Sequence, residues 1–247
     1  MLGASYDGDG RAILMTDISE SLFANGEVVA PAAMDVIVRG VADLHAAFWG
    51  APSEHAIAWC DPRDRIGLLG PATGDMLARE ERDFGVARGW RAFDRLVPKD
   101  TSSLVRRLHR DMTPLMEILQ TFPSTLLQGD LKIANLGLDR GGLWLFDWSS
   151  VMWAPVALDL ALFLTMSSSV LPWELDEVCD GYAGYLDHAL GAALFAAARW
   201  PEQRAIMMLC GLVYYGWGKA LDAEEGRAAE LRWWCDGATE AARTLGL

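Results

Sequence analysis

The segment that decides the fold is "LLQGDLKIANLGLDRGGLWLFDW", Leu126–Trp148. Among its strand-forming leucine, phenylalanine and tryptophan residues stand polar side chains that include those of Asp130, Lys132, Asn135 and Asp147. Burying such groups costs free energy unless each one finds a partner. We therefore expect them either to lie on loops at the edge of the fold or to share a ligand that repays this cost.

A β-hairpin is predicted in the second half of this segment. The runs "LGLD" and "LWLFDW" flank "RGG" at 140–142, and a glycine-containing tripeptide between two apolar runs is typical of a hairpin turn. Because a hairpin brings its two ends together, Asn135 and Asp147 should be neighbours. An amide oxygen beside a carboxylate suits Mg²⁺, which keeps some water and phosphate ligands. Asn135 and Asp147 are therefore the predicted metal ligands.

Asp130 and Lys132 precede the hairpin on a predicted loop. The spacing of Asp130 and Asn135 in "DLKIAN" does not match one face of a helix and is consistent with a loop. On an extended loop Lys132 points the same way as Asp130, where its ammonium group would meet a phosphate. The four side chains together supply a base, a cation for phosphate and two metal ligands.

The overall charge limits the kind of partner. The chain has 34 acidic and 21 basic residues among 247, a formal net charge of −13. Such a surface disfavours binding to nucleic acid or to an anionic membrane surface, and slightly favours a cationic small molecule. The length and the 52% hydrophobic content suit one large domain, or a main domain with a small appendage.

A cytoplasmic location is predicted from the cysteines and the N-terminus. The four cysteines are scattered and match neither a zinc site nor a disulfide framework, and no signal peptide is recognisable. The longest apolar region, Val151–Trp173, is interrupted by Asp159 and two prolines. We expect a buried helix there, because a membrane span needs about 20 unbroken apolar residues.

Elsewhere the pattern predicts few strands and many helices. The predicted elements are a buried strand at Ala12–Thr16, a helix from Pro31 to about Gly50, a second helical stretch over 102–122 broken at Pro114, and helix from Ala157 almost to the end. The segment "AEEGRAAELRWW" at 223–234 is interpreted as a solvated helix face.

The quoted segment resembles the catalytic loop and metal-binding hairpin of protein-kinase-like enzymes. The best match is the aminoglycoside phosphotransferase and choline kinase superfamily, whose signature is H-G-D-x-x-x-x-N followed by I-D-W. Three other stretches resemble the same family: "ILMTDIS" at 13–19 its hinge strand, "VADLHAAFWG" at 41–50 the helix that follows, and "APVALDLALFL" at 154–164 its G-x-P-x-x-D-L-A stretch.

The resemblance implies an α+β, mostly α fold. We expect a protein-kinase-like C-terminal lobe over 23–247, with a short catalytic β-hairpin, preceded by a truncated N-terminal lobe and hinge strand over 1–22. Only about a dozen residues precede the hinge-like stretch, and none of the three lysines lies before it. Since such enzymes use a lysine of the small lobe on the nucleotide phosphates, we expect the chain alone to show little or no phosphotransfer, and a form with a restored or partner-supplied N-terminal lobe to be active.

The activity implied is transfer of the γ-phosphate of ATP to a hydroxyl of a small molecule, such as an aminoglycoside-, choline- or sugar-like acceptor, with Mg²⁺. Asp130 falls on the catalytic base and Lys132 on a phosphate-contacting lysine. Asn135 and Asp147 fall on the magnesium ligands. The resemblance places the adenine of ATP beside a group of hinge residues, Met15, Asp17 and Ile18.

Three residues near the motif have expected supporting roles. Gln128 replaces the histidine of the signature and is expected to support the loop by hydrogen bonding. Asp159 is expected to brace the loops near the site, and His45 to be a packed core residue.

Three alternatives stay open for the whole chain. It is part of a longer kinase, or a partner chain completes its nucleotide site, or it is a non-catalytic, pseudokinase-like binding module. With most of the N-terminal lobe missing, we expect an apolar hinge-side surface, around 12–22, that is covered by another chain or causes self-association.

Overall fold

The computed structural model describes residues 3–8, 10–14, 17–24, 26–50, 58–82, 84–139 and 142–247. Helices dominate it, as predicted, and the fold is α+β and mostly α. The α-helices are α1 Pro31–Ala47, α2 Pro62–Gly67, α3 Pro71–Arg79, α4 Val86–Leu96, α5 Lys99–Arg110, α6 Thr113–Leu119, α7 Ala157–Ser167, α8 Leu175–Leu190, α9 Ala192–Ala198, α10 Trp200–Asp222 and α11 Ala228–Leu245.

The strands form antiparallel pairs. They are β1 Gly3–Asp7 with β2 Gly10–Leu14, β3 Thr125–Leu127 with β6 Met152–Ala154, and β4 Leu136–Asp139 with β5 Gly142–Leu145. The β4–β5 pair, with Leu136 opposite Leu145, confirms the predicted hairpin. Residues 140 and 141 of its turn lie outside the described residues. The β3–β6 pair was not predicted, because strands of three residues are too short to show an alternating pattern.

The core is built around α10. This helix packs against α4, α7 and α11, and the side chains of Met207, Leu209, Leu212 and Val213 are fully buried. The helix α7 is mostly apolar and has no exposed polar face, and nearly all of its residues are buried. A helix without a polar face belongs inside a core. The predicted buried helix within Val151–Trp173 is therefore confirmed.

The helix α1 has the start and the apolar face that the sequence predicts. Pro31 occupies the first turn, where its missing N–H costs nothing. The buried side chains Ile37, Val38 and Val41 face the core at helical spacing, and the helix packs on α8. This packing places His45, in the last turn of α1, beneath the segment that joins β3 to β4.

The N-terminal strand differs from its prediction. The structure describes β2 as far as Leu14, and residues 15 and 16 of the predicted strand lie outside the described residues. The strand was expected to be buried, but the Leu14 side chain is 64% exposed, because a two-stranded ribbon buries side chains only where another layer covers it. Leu22, which pairs with Gly137 of β4, is also exposed. A partner on this surface, and the domain division at 22/23, stay predictions.

The interpretation of residues 223–234 as a solvated face is wrong for its second half. Residues 223–227 form a π-helical turn, after which α11 turns Leu231 and Trp234 into the core. Gly211 of α10 makes the room, since a Cβ there would lie 2.4 Å from Trp234 Cζ3.

Among the described residues, we find no helix that combines the length with the apolar character needed to cross a membrane.

The two adjacent tryptophans of α11 provide a test of this packing. We expect Trp234→Ala to lower the free energy of unfolding by about 3–5 kcal/mol, because it leaves a cavity where a fully buried ring stood. Trp233→Ala, which removes a half-buried ring hydrogen-bonded to Asp176, should lower the free energy of unfolding much less. Urea unfolding followed by circular dichroism measures both, and equal losses would contradict the core assignment.

Candidate active site

The segment between β3 and β4, residues 128–135, donates backbone hydrogen bonds to one carboxylate that lies beneath it. Asp159, in the first turn of α7, is fully buried. Its Oδ2 accepts a hydrogen bond from the Gln128 N–H at 2.9 Å, and its Oδ1 accepts one from the Gly129 N–H at 2.8 Å. The expectation that Asp159 braces the loops near the site is confirmed.

His45 links this carboxylate to α8. Its Nε2 lies 3.3 Å from Asp159 Oδ2, and its Nδ1 lies 2.7 Å from the Tyr182 hydroxyl oxygen. Burial, together with the charge of Asp159, raises the pKa of the Tyr182 phenol, so this hydroxyl keeps its proton. His45 is a fully buried core histidine, as expected, and it also belongs to this polar chain.

Gln128 ties the same segment to the end of the hairpin. Its Nε2 donates to the carbonyl oxygens of Phe146 at 2.6 Å and Asp147 at 2.7 Å. Its Oε1 accepts from the Asp130 N–H at 2.8 Å. The side chain is fully buried, so these three bonds satisfy its polar atoms. The predicted supporting role is confirmed.

Two residues adopt left-handed backbone conformations here. Gly129 has φ +82°, and a Cβ at this position would lie 1.9 Å from the Ser150 carbonyl oxygen, so a larger residue does not fit. Asp147 has φ 51° and ψ 66°, which is uncommon outside glycine. Backbone strain of this kind clusters at functional sites, and it aims the Asp147 side chain.

The structure brings Asp130, Lys132 and Asn135 together. Asp130 Oδ2 accepts hydrogen bonds from Lys132 Nζ at 2.6 Å and from Asn135 Nδ2 at 2.9 Å. Asn135 Nδ2 also donates to the Asp130 carbonyl oxygen at 2.9 Å. The Asp130 side chain is 14% exposed and that of Lys132 27%, so both reach the surface from a fixed loop.

A second cation on Asp130 was missed in the sequence. Arg65, on α2, forms an ion pair with Asp130 Oδ1. Its Nε donates to the Gly129 carbonyl oxygen at 2.6 Å. No local pattern distinguishes Arg65 from the other arginines of its region, since its partners lie more than 60 residues away.

The two predicted metal ligands lie at the open end of the hairpin. The Asn135 carbonyl oxygen accepts from the Phe146 N–H at 3.0 Å, which extends the β4–β5 pairing by one position and brings Asp147 close. Asp147 is exposed, and its Oδ1 accepts from Ser149 Oγ at 2.6 Å. This hydrogen bond, helped by the charges of Lys132 and Arg65, lowers the pKa of Asp147.

An ionised carboxylate and a neutral amide oxygen are a donor set that Mg²⁺ accepts. Within the described ranges no cluster of three or more histidine, cysteine, aspartate or glutamate side chains forms a cage for a metal. Two protein ligands are nevertheless enough for Mg²⁺ when phosphate and water complete its shell. The residues present therefore fit the group that the sequence implies.

Of the three residues predicted to contact adenine, Asp17 and Ile18 lie in the described part of the chain. Asp17 Oδ1 accepts from Ser19 N at 3.0 Å and Oγ at 2.7 Å, and this exposed carboxylate lies two residues before a short 3₁₀ turn, Ser19–Ser21. Ile18 directly precedes that turn, and the pairing of Leu22 with Gly137 places the segment beside β4. Met15 lies outside the described residues. A role for these residues in binding nucleotide stays a prediction.

Comparison with known proteins supports the resemblance. The model of a family described as "Phosphotransferase enzyme family" (APH) matches residues 4–201. This range contains both the loop and the hairpin. Neither the curated proteins nor the solved structures contain a match.

The brace beneath the loop can be tested on stability. We expect Asp159→Ala to lower the free energy of unfolding by about 3–5 kcal/mol, because it leaves without an acceptor the buried donors that the carboxylate satisfied. Asp180→Ala, at an exposed position on α8, is the matched control and should change stability little. Urea unfolding measures both, and a control-like result for Asp159→Ala would show that the loop is held by something else.

Proposed function

The chain belongs to the phosphotransferase enzyme family, and from this premise we propose that it transfers the γ-phosphate of ATP to a hydroxyl group of a small molecule, with Mg²⁺ as cofactor. The observation that carries the proposal is the setting of Asp130, a carboxylate on a braced loop with a lysine, an arginine and an asparagine directed at it. A purely structural loop has no need of this arrangement.

Asp130 is the proposed base. An ionised carboxylate offers about four lone-pair positions to donors. Arg65, Lys132 and Asn135 occupy three of them, which leaves one for the hydroxyl of an acceptor. In the proposed mechanism Asp130 accepts the hydrogen bond of that hydroxyl, orients its oxygen towards phosphorus and takes its proton as the new bond forms.

Lys132 is the proposed cation for the transferring phosphate. Its ammonium group carries three hydrogens, and the described contacts use one of them on Asp130. The Lys132 side chain is 27% exposed, so in the proposed mechanism the other two hydrogens are available to a phosphate. A cation held there stabilises the negative charge on the phosphate oxygens during transfer.

Asn135 and Asp147 would hold the magnesium ion. The ion supplies charge neutralisation for the nucleotide phosphates when it is bound. An aspartate is ionised through the neutral range, and the hydrogen bond from Ser149 lowers the pKa of Asp147 further, so this carboxylate can act as a ligand without first losing a proton. Gln128 holds the Asp147 carbonyl, which limits the movement of the ligand.

Further parts of the proposal rest on composition and position. The net charge of −13 supports a cationic acceptor, rather than nucleic acid or a membrane surface. Residues 15, 17 and 18 are the proposed contacts of the adenine. The four cysteines are free thiols, three of them buried, which suits the reducing cytoplasm where we place the protein.

The exposed side chains of Leu14 and Leu22 favour a second candidate function. In this candidate the chain is a non-catalytic module that binds another chain, or a second copy of itself, through the hinge-side surface. The turnover experiment described next distinguishes the two candidates.

The proposed activity is tested under single-turnover conditions, which detect weak transfer. We expect ATP-dependent phosphorylation of at least one member of a panel of aminoglycosides, choline-like amines and sugars, measured by mass spectrometry of the acceptor. Asp130→Ala should lower the rate by about 10²–10⁴, because the base is lost. Asp139→Asn, at the exposed turn end of the hairpin, should not.

Two outcomes would count against this proposal. Turnover that persists unchanged in Asp130→Ala would overturn the assignment of the base. A folded wild-type protein that turns over no acceptor, either alone or when an N-terminal lobe is supplied, would favour the binding module.

The metal assignment has a separate test. We expect nucleotide-dependent binding of Mn²⁺, measured by titration calorimetry, to be largely lost in Asp147→Asn, since the substitution removes the only anionic ligand of the proposed pair. Asp139→Asn again serves as the control, because it removes the same charge from the same hairpin away from its open end. Equal affinities for wild type and Asp147→Asn would exclude this residue as a ligand.

A further inference from the structure

We propose that Arg65 is a positioning residue that fixes the orientation of the Asp130 carboxylate for transfer. The inference rests on the proposed function, and it assigns a role to a residue that lies outside the loop and the hairpin. Arg65 touches Asp130 and not the reacting atoms.

Arg65 contacts the loop through two of its nitrogen atoms. Its Nε donates to the Gly129 carbonyl oxygen at 2.6 Å, and its Nη2 pairs with Asp130 Oδ1. These two acceptors belong to the backbone of one residue and the side chain of the next. A planar guanidinium that binds both fixes the side-chain rotamer relative to the backbone, which the compact charge of a lysine cannot do.

The guanidinium is itself held in place. The Arg65 side chain is only 7% exposed, and its Cζ lies 4.9 Å from the centroid of the Tyr214 ring on α10. Burial raises the pKa of Tyr214, so this ring stays a neutral phenol at the face of the cation. At the start of α2, Asp61 accepts from the Arg63 N–H at 2.8 Å. The Arg65 side chain therefore starts from a helix with a capped N-terminus and packs against the Tyr214 ring.

The two cations on Asp130 differ in what they are free to do. Lys132 is more exposed and sits on Oδ2, from which it can move to a phosphate. When it moves, Oδ2 keeps the hydrogen bond from Asn135, and Oδ1 keeps its pair with Arg65. The buried arginine thus holds the carboxylate in one orientation while the lysine changes partner. Loss of Arg65 should lower kcat and leave the KM for ATP unchanged, because Arg65 does not reach the nucleotide.

The first arm of the test needs no substrate. We expect Arg65→Met to increase amide hydrogen exchange in the peptide 126–136, and to leave exchange in α8 as in wild type. Arg63→Met, at an exposed position on the same helix, is the matched control. Unchanged exchange in the loop of Arg65→Met would overturn the proposal, whatever the turnover.

The second arm measures turnover in steady state. We expect kcat to fall by about 10² in Arg65→Met, the cost of misplacing a reacting group by about 1 Å, with the KM for ATP unchanged. Arg65→Lys keeps the buried charge, which protects the fold if Arg65→Met is unstable, and its kcat should still fall. A kcat equal to that of wild type in Arg65→Lys and Arg65→Met would overturn the proposal.

Chemical rescue separates positioning from a structural role. In Arg65→Gly, millimolar guanidinium should restore part of kcat, since the ion can occupy the vacated site beside Asp130. Urea has the same planar shape without the charge and should not restore it. An equal response to both compounds would contradict the proposal. If wild type has no turnover while the loop of Arg65→Met exchanges faster, the proposed function fails and the positioning contact stands.

Discussion

The buried carboxylate of Asp159 is the interaction on which the site depends. A charge in the core is costly unless several donors satisfy it. Here the donors are two successive backbone N–H groups, of Gln128 and Gly129, and the ring of His45 lies beside them. Because the Asp159 carboxylate requires hydrogen-bond donors, the loop packs against the start of α7. The free-energy cost of burying Asp159 without donors thus favours the loop conformation that supplies them.

Once the loop is held there, its other side chains have little freedom. The left-handed conformation of Gly129 turns the chain where a side chain would collide with Ser150. Gln128 then joins the loop to the hairpin end, and Asn135 donates back to Asp130. Buried bonds determine the inner side of the loop, while the side chains with proposed chemical roles lie on its outer side. Rigid support of this kind is what a site needs to hold reacting groups in place.

Two basic side chains meet at Asp130, although the chain as a whole is acidic. The protein carries a net charge of −13, but Arg65 and Lys132 both pair with one carboxylate. The hydrogen bond from Ser149, together with the charges of these two cations, lowers the pKa of Asp147 nearby. Lys132, the more exposed of the two cations, suits contact with the phosphates of a nucleotide, while the acidic surface suits the approach of a cationic acceptor. The two halves of the proposed reaction therefore have different electrostatic requirements, and the distribution of charge matches both.

The sequence by itself determined the local features of this protein: the β4–β5 hairpin with Asn135 and Asp147 at its ends, the helix from Pro31, and the family to which the loop belongs. Each depends on residues close together in the chain, so turn chemistry and periodicity reveal them. Only the tertiary structure decided that Arg65 holds Asp130 and that Trp234 is buried. The physical reason is the same for both. The partners of these residues are distant in sequence, and whether a side chain meets solvent, a ring or a carboxylate depends on which element packs over it.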